Sequence, residues 1–217
     1  IGTAHNTISF VKPSDYSKYE NTMFFKYNGN IIDVCYTDGI TSSGTIDRST
    51  SAIDTAAEAM YAALYDLLAN TDKDNFWLSV GQADTNERCE CSDCIAATKQ
   101  YNRSGITVRF WNAIINELEN CGNAKVRNKN YRLVMFAYQY NLLAPVIDGK
   151  IDSTCIPNNE HLWVRIAPIV VDRYLALDDE NQPLLQRENG RTYDSSTMLG
   201  HVSASTIYSD WAKVTSN

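Results

Sequence analysis

Three cysteines fall within six residues, Cys89-Glu-Cys91-Ser-Asp-Cys94. The C-x-x-C spacing places two thiolates on one side of a turn and suits tetrahedral zinc; the third cysteine, two residues earlier, leaves one ligand to find. Cys35, in YNGNIIDVCYTDG, is the candidate for the fourth, at the expected end of a strand. Four thiolates would close the coordination shell, so the centre would be structural and would tie the loop after Val80 to a neighbouring loop. A disulfide framework is the alternative, because six cysteines permit many pairings. Cys89 and Cys91 are too close for an easy mutual bond, so one of them would need a distant partner. Reduced, inert thiols are the third option. Cys121 and Cys155 have no local motif. A catalytic zinc at this cluster is disfavoured, since thiolate-rich sites shut the metal off and no H-E-x-x-H segment is present.

The second group of chemistry-bearing residues sits where strands are expected to end. Asp84 closes Gly81-Gln82-Ala83-Asp84, directly after the apolar run FWLSV. A carboxylic acid among apolar and aromatic groups can keep its proton and act as a general acid toward a glycosidic oxygen. Glu87 is a weaker candidate for the facing carboxyl group that glycoside hydrolysis normally requires. Asp84 as a turn residue bonded to its own loop is the plain alternative. Tyr138-Gln139-Tyr140 ends another expected strand and would offer ring platforms beside a two-sided amide. Arg165 lies inside the apolar run LWVRIAP, where a buried charge needs a carboxylate or a bound anion such as a uronic acid. His5 and His161 lie near expected strand ends and His201 in a loop; a lone histidine is more often a satisfied structural residue than a ligand.

These residues need elements to hold them. Apolar residues recur at helical spacing over Thr55–Asn70, with Asp54 or Thr55 as the cap. Phe76–Val80, Tyr131–Tyr138 and His161–Ile166 read as strands, and the stretch from Ser92 to Cys121 reads as a long helix broken around Ser104-Gly105. Strands separated by such helices predict parallel βαβ units. The Gly-rich dinucleotide and phosphate-loop fingerprints are absent. The expectation is therefore an α/β fold of (β/α) TIM-barrel type, a partial barrel or a fragment of a larger protein, with residues 1–217 as one domain. Ile1 in place of an initiator Met also points to a piece of a larger parent chain.

The net charge of -7, from 26 acidic and 19 basic residues without a basic stripe, argues against nucleic acid as a partner. No apolar run approaches the roughly 18 residues of a membrane span, so membrane insertion is not expected. Thirteen tyrosines suit sugars, whose apolar faces stack on rings while their hydroxyls take hydrogen bonds; core packing accounts for tyrosines equally well.

The run FWLSVGQADTNERCECSDC resembles the strand–Asp–C-x-C-x-x-C signature of the bacterial family known as domain of unknown function 4838. His5 followed by Tyr16 and Tyr19, the isolated Cys35, FAYQY, VRIAPI and Tyr208-Ser-Asp-Trp211 resemble further segments of it in the same order. Two departures stand out: the proline-rich turn expected after FAYQY is reduced to Ala144-Pro145, and the chain ends at Asn217 before the expected later strands. The resemblance implies a glycoside-hydrolase-like barrel from polysaccharide-utilising bacteria, secreted or at the cell surface. On this reading Asp84 and Glu87 are the catalytic candidates. His5, Tyr138, Gln139, Tyr140 and Arg165 would bind an oligosaccharide or polysaccharide, and Cys35, Cys89, Cys91 and Cys94 would hold a structural zinc. A non-catalytic glycan-binding module is the alternative, and a zinc-dependent hydrolase the third reading.

Overall fold

A computed structural model of the chain describes residues 5, 7–49, 52–85, 87–167, 174–176, 179 and 203–215. Short helical segments open the fold: α1 (Thr7–Phe10), a 3-10 stretch over Pro13–Tyr19 and α2 (Glu20–Met23). They lead into an antiparallel hairpin of β1 (Phe24–Tyr27) and β2 (Asn30–Val34). Its turn is Asn28-Gly29, with φ of 49° and 79°. This is the pairing of positive φ values that matches the strand twist and favours Asn-Gly.

Helix α3 (Ala56–Asn70) begins where the sequence predicts, with the Thr55 hydroxyl accepting from the Glu58 amide at 3.3 Å. Strand β3 (Asn75–Ser79) follows, then α4 (Ser92–Asn120), the single turn α5 (Ala124–Arg127) and β4 (Asn130–Ala137). The long helix is interrupted as expected, but at Asn102 rather than at Ser104-Gly105. Asn102 takes φ 63° and stabilises the break itself: its Oδ1 accepts from the Arg103 amide at 2.6 Å and its Nδ2 donates to the Ala144 carbonyl at 3.2 Å. With ψ at 167° this lies outside the left-handed helical well, in a region L side chains rarely adopt, and the two hydrogen bonds hold it there. Gly105 is instead a packing position, where an added Cβ would lie 3.0 Å from the Cys155 sulfur. A second small hairpin, β5 (Val146–Ile147) and β6 (Lys150–Ile151), turns on Asp148-Gly149. Strand β7 (Leu162–Ile166) and, later, α6 (Ala204–Thr215) complete the described elements.

The central sheet has the order β3-β4-β7, all parallel. His5 adds a parallel bridge to Gly81 just past the end of β3. Among the described residues this sheet is open, and the fold is mixed α/β. Alternation along the strands gives its two faces different characters. Leu78, Val80, Tyr131, Leu133, Met135 and Leu162 point to one side and join the buried faces of α3 and α4 in a single core with Met60, Leu64, Trp111 and Ile114. The other side carries Trp77, Arg132, Trp163 and Arg165; Trp77 is 60% exposed and Trp163 41%. The two tryptophans meet edge to face across β4 at 4.8 Å. No helix among the described residues is long and apolar enough to cross a membrane.

Candidate functional site

Two regions of chemistry share one loop, residues 80–91, between β3 and α4. At its far end Cys89, Cys91 and Cys94 gather around Cys35, which directly follows β2. The Cys35 sulfur lies 3.6 Å from Cys89, 3.9 Å from Cys91 and 3.6 Å from Cys94, and all four sulfurs lie within 4.8 Å of one another. Thiolates at about 2.3 Å from a tetrahedral zinc are about 3.8 Å apart, close to the three distances from Cys35. All six cysteines of the chain are unbonded. Local structure supports negative sulfur: Cys91 caps α4 by accepting from the Cys94 amide at 3.4 Å, at the positive end of the helix dipole. The Thr37 hydroxyl lies 3.1 Å from the Cys94 sulfur. Hydrogen bonding from Cys35 and Cys94 pulls the Cys89 thiol down to about 4, while the hydrogen bonds that Cys94 shares with Cys35, Cys89 and Cys91 push its own thiol up. A divalent cation at the centre would favour the thiolate form on all four.

The near end of the loop is held by Asp33, the fourth residue of β2, which is fully buried. Its carboxylate accepts from the Ala83 amide at 2.8 Å, the Val34 amide at 2.8 Å and the Tyr36 hydroxyl at 3.2 Å. Burial pushes its pKa up to about 6 against the pull of those donors. The end of β2 thus grips the loop twice, through Asp33 at Ala83 and through Cys35 at the cysteine cluster. The Asp33→Ala variant would strip the acceptor from two backbone amides in a region closed to water. It is expected to lower stability by about 2–4 kcal/mol, read as a reduced midpoint in urea, whereas a midpoint unchanged from wild type would contradict the clamp.

Between these two grips lies Asp84. It is solvent-exposed, and the Tyr138 hydroxyl donates to its Oδ1 at 2.9 Å. It is therefore not enclosed among apolar groups, as the sequence alone suggests, because the loop turns it outward beyond the strand end. The His5 ring lies 5.7 Å from the Tyr138 ring and 5.5 Å from that of Phe136, and its Nδ1 is 2.7 Å from the Gln82 carbonyl oxygen. Gln82 donates in turn to the Tyr138 carbonyl at 3.0 Å. His5, Asp84 and Tyr138 are thus brought together at the C-terminal ends of the parallel strands.

The model of the family described as Domain of unknown function (DUF4838) matches residues 46–216. The chain belongs to this family. Neither the curated proteins nor the solved structures contain a match to it.

The DUF4838 match takes in Asp84, Tyr138, Arg165 and the C-x-C-x-x-C run, while His5, Asp33 and Cys35 precede it. Arg165 is exposed on the open face of the sheet with its guanidinium 5.7 Å from the Phe136 ring. The strand is apolar on its other face, so the buried charge expected at Arg165 does not arise and neither does its demand for a partner. Tyr138, the residue after β4, reaches Asp84. The chain then bends into a 3-10 turn over Gln139–Asn141 instead of staying extended. Gln139 holds φ 49° with its Oε1 buried and without a hydrogen-bond partner among the described residues, and Tyr140 is buried. Tyr140 is therefore not the second open ring that simple strand alternation suggests. Glu87 lies farther along the loop, where its amide donates to the Thr85 hydroxyl at 3.0 Å. His161 lies at the opposite end of the sheet, and His201 falls outside the described residues. Asp33 and Gln82 were the residues not singled out in the sequence. The legible signal for Asp33 is a carboxylate inside the otherwise apolar strand NIIDV.

Proposed function

We propose that this DUF4838 chain handles carbohydrate at the C-terminal ends of its parallel strands, as a glycoside hydrolase acting on an oligosaccharide or polysaccharide. The carrying observation is the convergence of Asp84, Tyr138 and His5 there, with Arg165 one strand away on the same open face. A half-buried tyrosine ring beside a carboxylate and an imidazole matches the stacking and hydroxyl bonding that a pyranose requires. Asp84 would deliver a proton to the glycosidic oxygen or fix a ring hydroxyl; Arg165 would favour a uronic acid. A (β/α) barrel accommodates this arrangement. All-parallel sheets normally have both faces covered, and the face away from α3 and α4 would then line the barrel interior, with the site at its mouth.

The four cysteines would hold a structural zinc. Its role would be to fix the loop that carries Asp84, not to perform chemistry, because four thiolates leave the ion no open position.

A second reading, a non-catalytic glycan-binding module, draws on Asp33. It bonds to this loop from β2, and it is fully buried with both oxygens engaged, so it cannot serve as the facing carboxyl of a hydrolase. Screening the wild type against neutral and acidic oligosaccharides, for binding and for released product, separates the two. Cleavage identifies a hydrolase; binding without cleavage identifies a recognition module; neither, across the panel, contradicts the carbohydrate reading.

A further inference from the structure

At the other end of the sheet, far along the strands from Asp84, a second set of ligand atoms converges. We infer that Glu119, Glu160 and His161 form a site for a divalent first-row metal ion that accepts mixed nitrogen and oxygen ligands, of the Mn2+ or Zn2+ type. Their ligand atoms all lie within 4.8 Å of one another.

The imidazole is already set for coordination. His161 Nδ1 lies 2.9 Å from the Tyr131 carbonyl oxygen, which can only accept, so Nδ1 carries a proton. In the neutral ring the lone pair is then on Nε2, and Nε2 faces the Glu119 carboxylate. A backbone carbonyl on the far nitrogen is the outer-shell arrangement that fixes ring and tautomer in metal-bound histidines. The ring is held further by stacking on Tyr131, with centroids 4.1 Å apart and planes 15° from parallel. It is nearly enclosed, at 9% side-chain exposure.

The spacing to Glu119 fits an ion better than a shared proton. His161 Nε2 and Glu119 Oε1 are 3.5 Å apart. A direct bond between an imidazolium and a carboxylate closes to about 2.7–2.9 Å, whereas two ligands at about 2.1 Å from a tetrahedral ion lie about 3.4 Å apart. Asn158 organises the rest: its Oδ1 accepts from the Glu160 and His161 amides at 3.0 and 2.9 Å, and its Nδ2 donates to Glu119 Oε1 at 3.2 Å. Glu160 is exposed and Glu119 partly so, leaving an entry path and room for water on the ion. The donor set is harder than the four thiolates, so the two centres would sort metals differently. Bound there, the ion clips the last turn of α4 to the start of β7.

Mn2+ is the discriminating probe, because it prefers oxygen and imidazole over thiolate. Titration of the folded chain followed by electron paramagnetic resonance is expected to show one bound Mn2+. Glu160→Gln should weaken binding at least about tenfold, and Glu119→Gln combined with Glu160→Gln should abolish it, with circular dichroism unchanged from wild type. Cys91→Ser should bind Mn2+ as wild type does. A wild type that leaves all Mn2+ free overturns the site. So does a double variant that binds like wild type, or binding that Cys91→Ser removes.

Discussion

Elemental analysis of the purified chain is expected to return zinc, and Cys94→Ser is expected to return one zinc per molecule fewer than wild type. Cys94 is buried and lies within 3.6 Å of Cys35, so its loss removes a ligand and exposes the remaining sulfurs to each other without a counter-ion. An ion present at a thousand times its dissociation constant adds about 4 kcal/mol to folding. For a domain of this length that corresponds to a melting temperature about 10 °C higher with metal than without. Cys91→Ser isolates the metal from the packing, because Cys91 is exposed and its sulfur fills no core space. It should lose most of the same increment, and chelation of the wild type should reproduce it. A wild type that carries no zinc and melts identically with and without chelator would remove the metal from the account.

The second large effect is on chemistry rather than stability. Asp84→Asn keeps the shape of the side chain and an oxygen that can accept from the Tyr138 hydroxyl, and the position is exposed. The melting temperature should therefore stay within about 2 °C of wild type, as is usual for exposed positions. If Asp84 is the proton donor, turnover of a cleaved oligosaccharide should fall by about 100- to 10,000-fold with affinity retained. Turnover equal to wild type would exclude Asp84 from the mechanism.

Periodicity carried the main frame of this fold. Helix α3, its Thr55 cap, and strands β3, β4 and β7 lie within a residue or two of where apolar spacing puts them, since each buries a continuous face in one core. The two hairpins were not read from the sequence, although Asn28-Gly29 and Asp148-Gly149 are the strongest short-range signals for them. Both interrupt an alternating strand–helix pattern, and their strands are too short to show a period. The helix break was misplaced for a related reason: Gly105 looks like the breaker, but it serves close packing, while Asn102 supplies the positive φ.

The candidate site was legible in part. Residue type and spacing alone select Cys35, Cys89, Cys91 and Cys94, and the structure gathers them. Asp84, Tyr138 and His5 also converge. Burial is what the sequence could not convey. Arg165 and Asp84 are exposed where enclosure was expected, and Tyr140 is buried where an open ring was expected. Asp33, fully buried and holding the loop from below, emerges only when β2 is placed beside it.

The central claim is that carbohydrate is handled at the Asp84–Tyr138–His5 cluster. Its most direct test is a side-by-side measurement of oligosaccharide binding and product release by wild type and Asp84→Asn. The account predicts cleavage by the wild type, lost in the variant while binding persists. Failure of both proteins to bind or cleave any member of a panel spanning neutral and uronic sugars would contradict it.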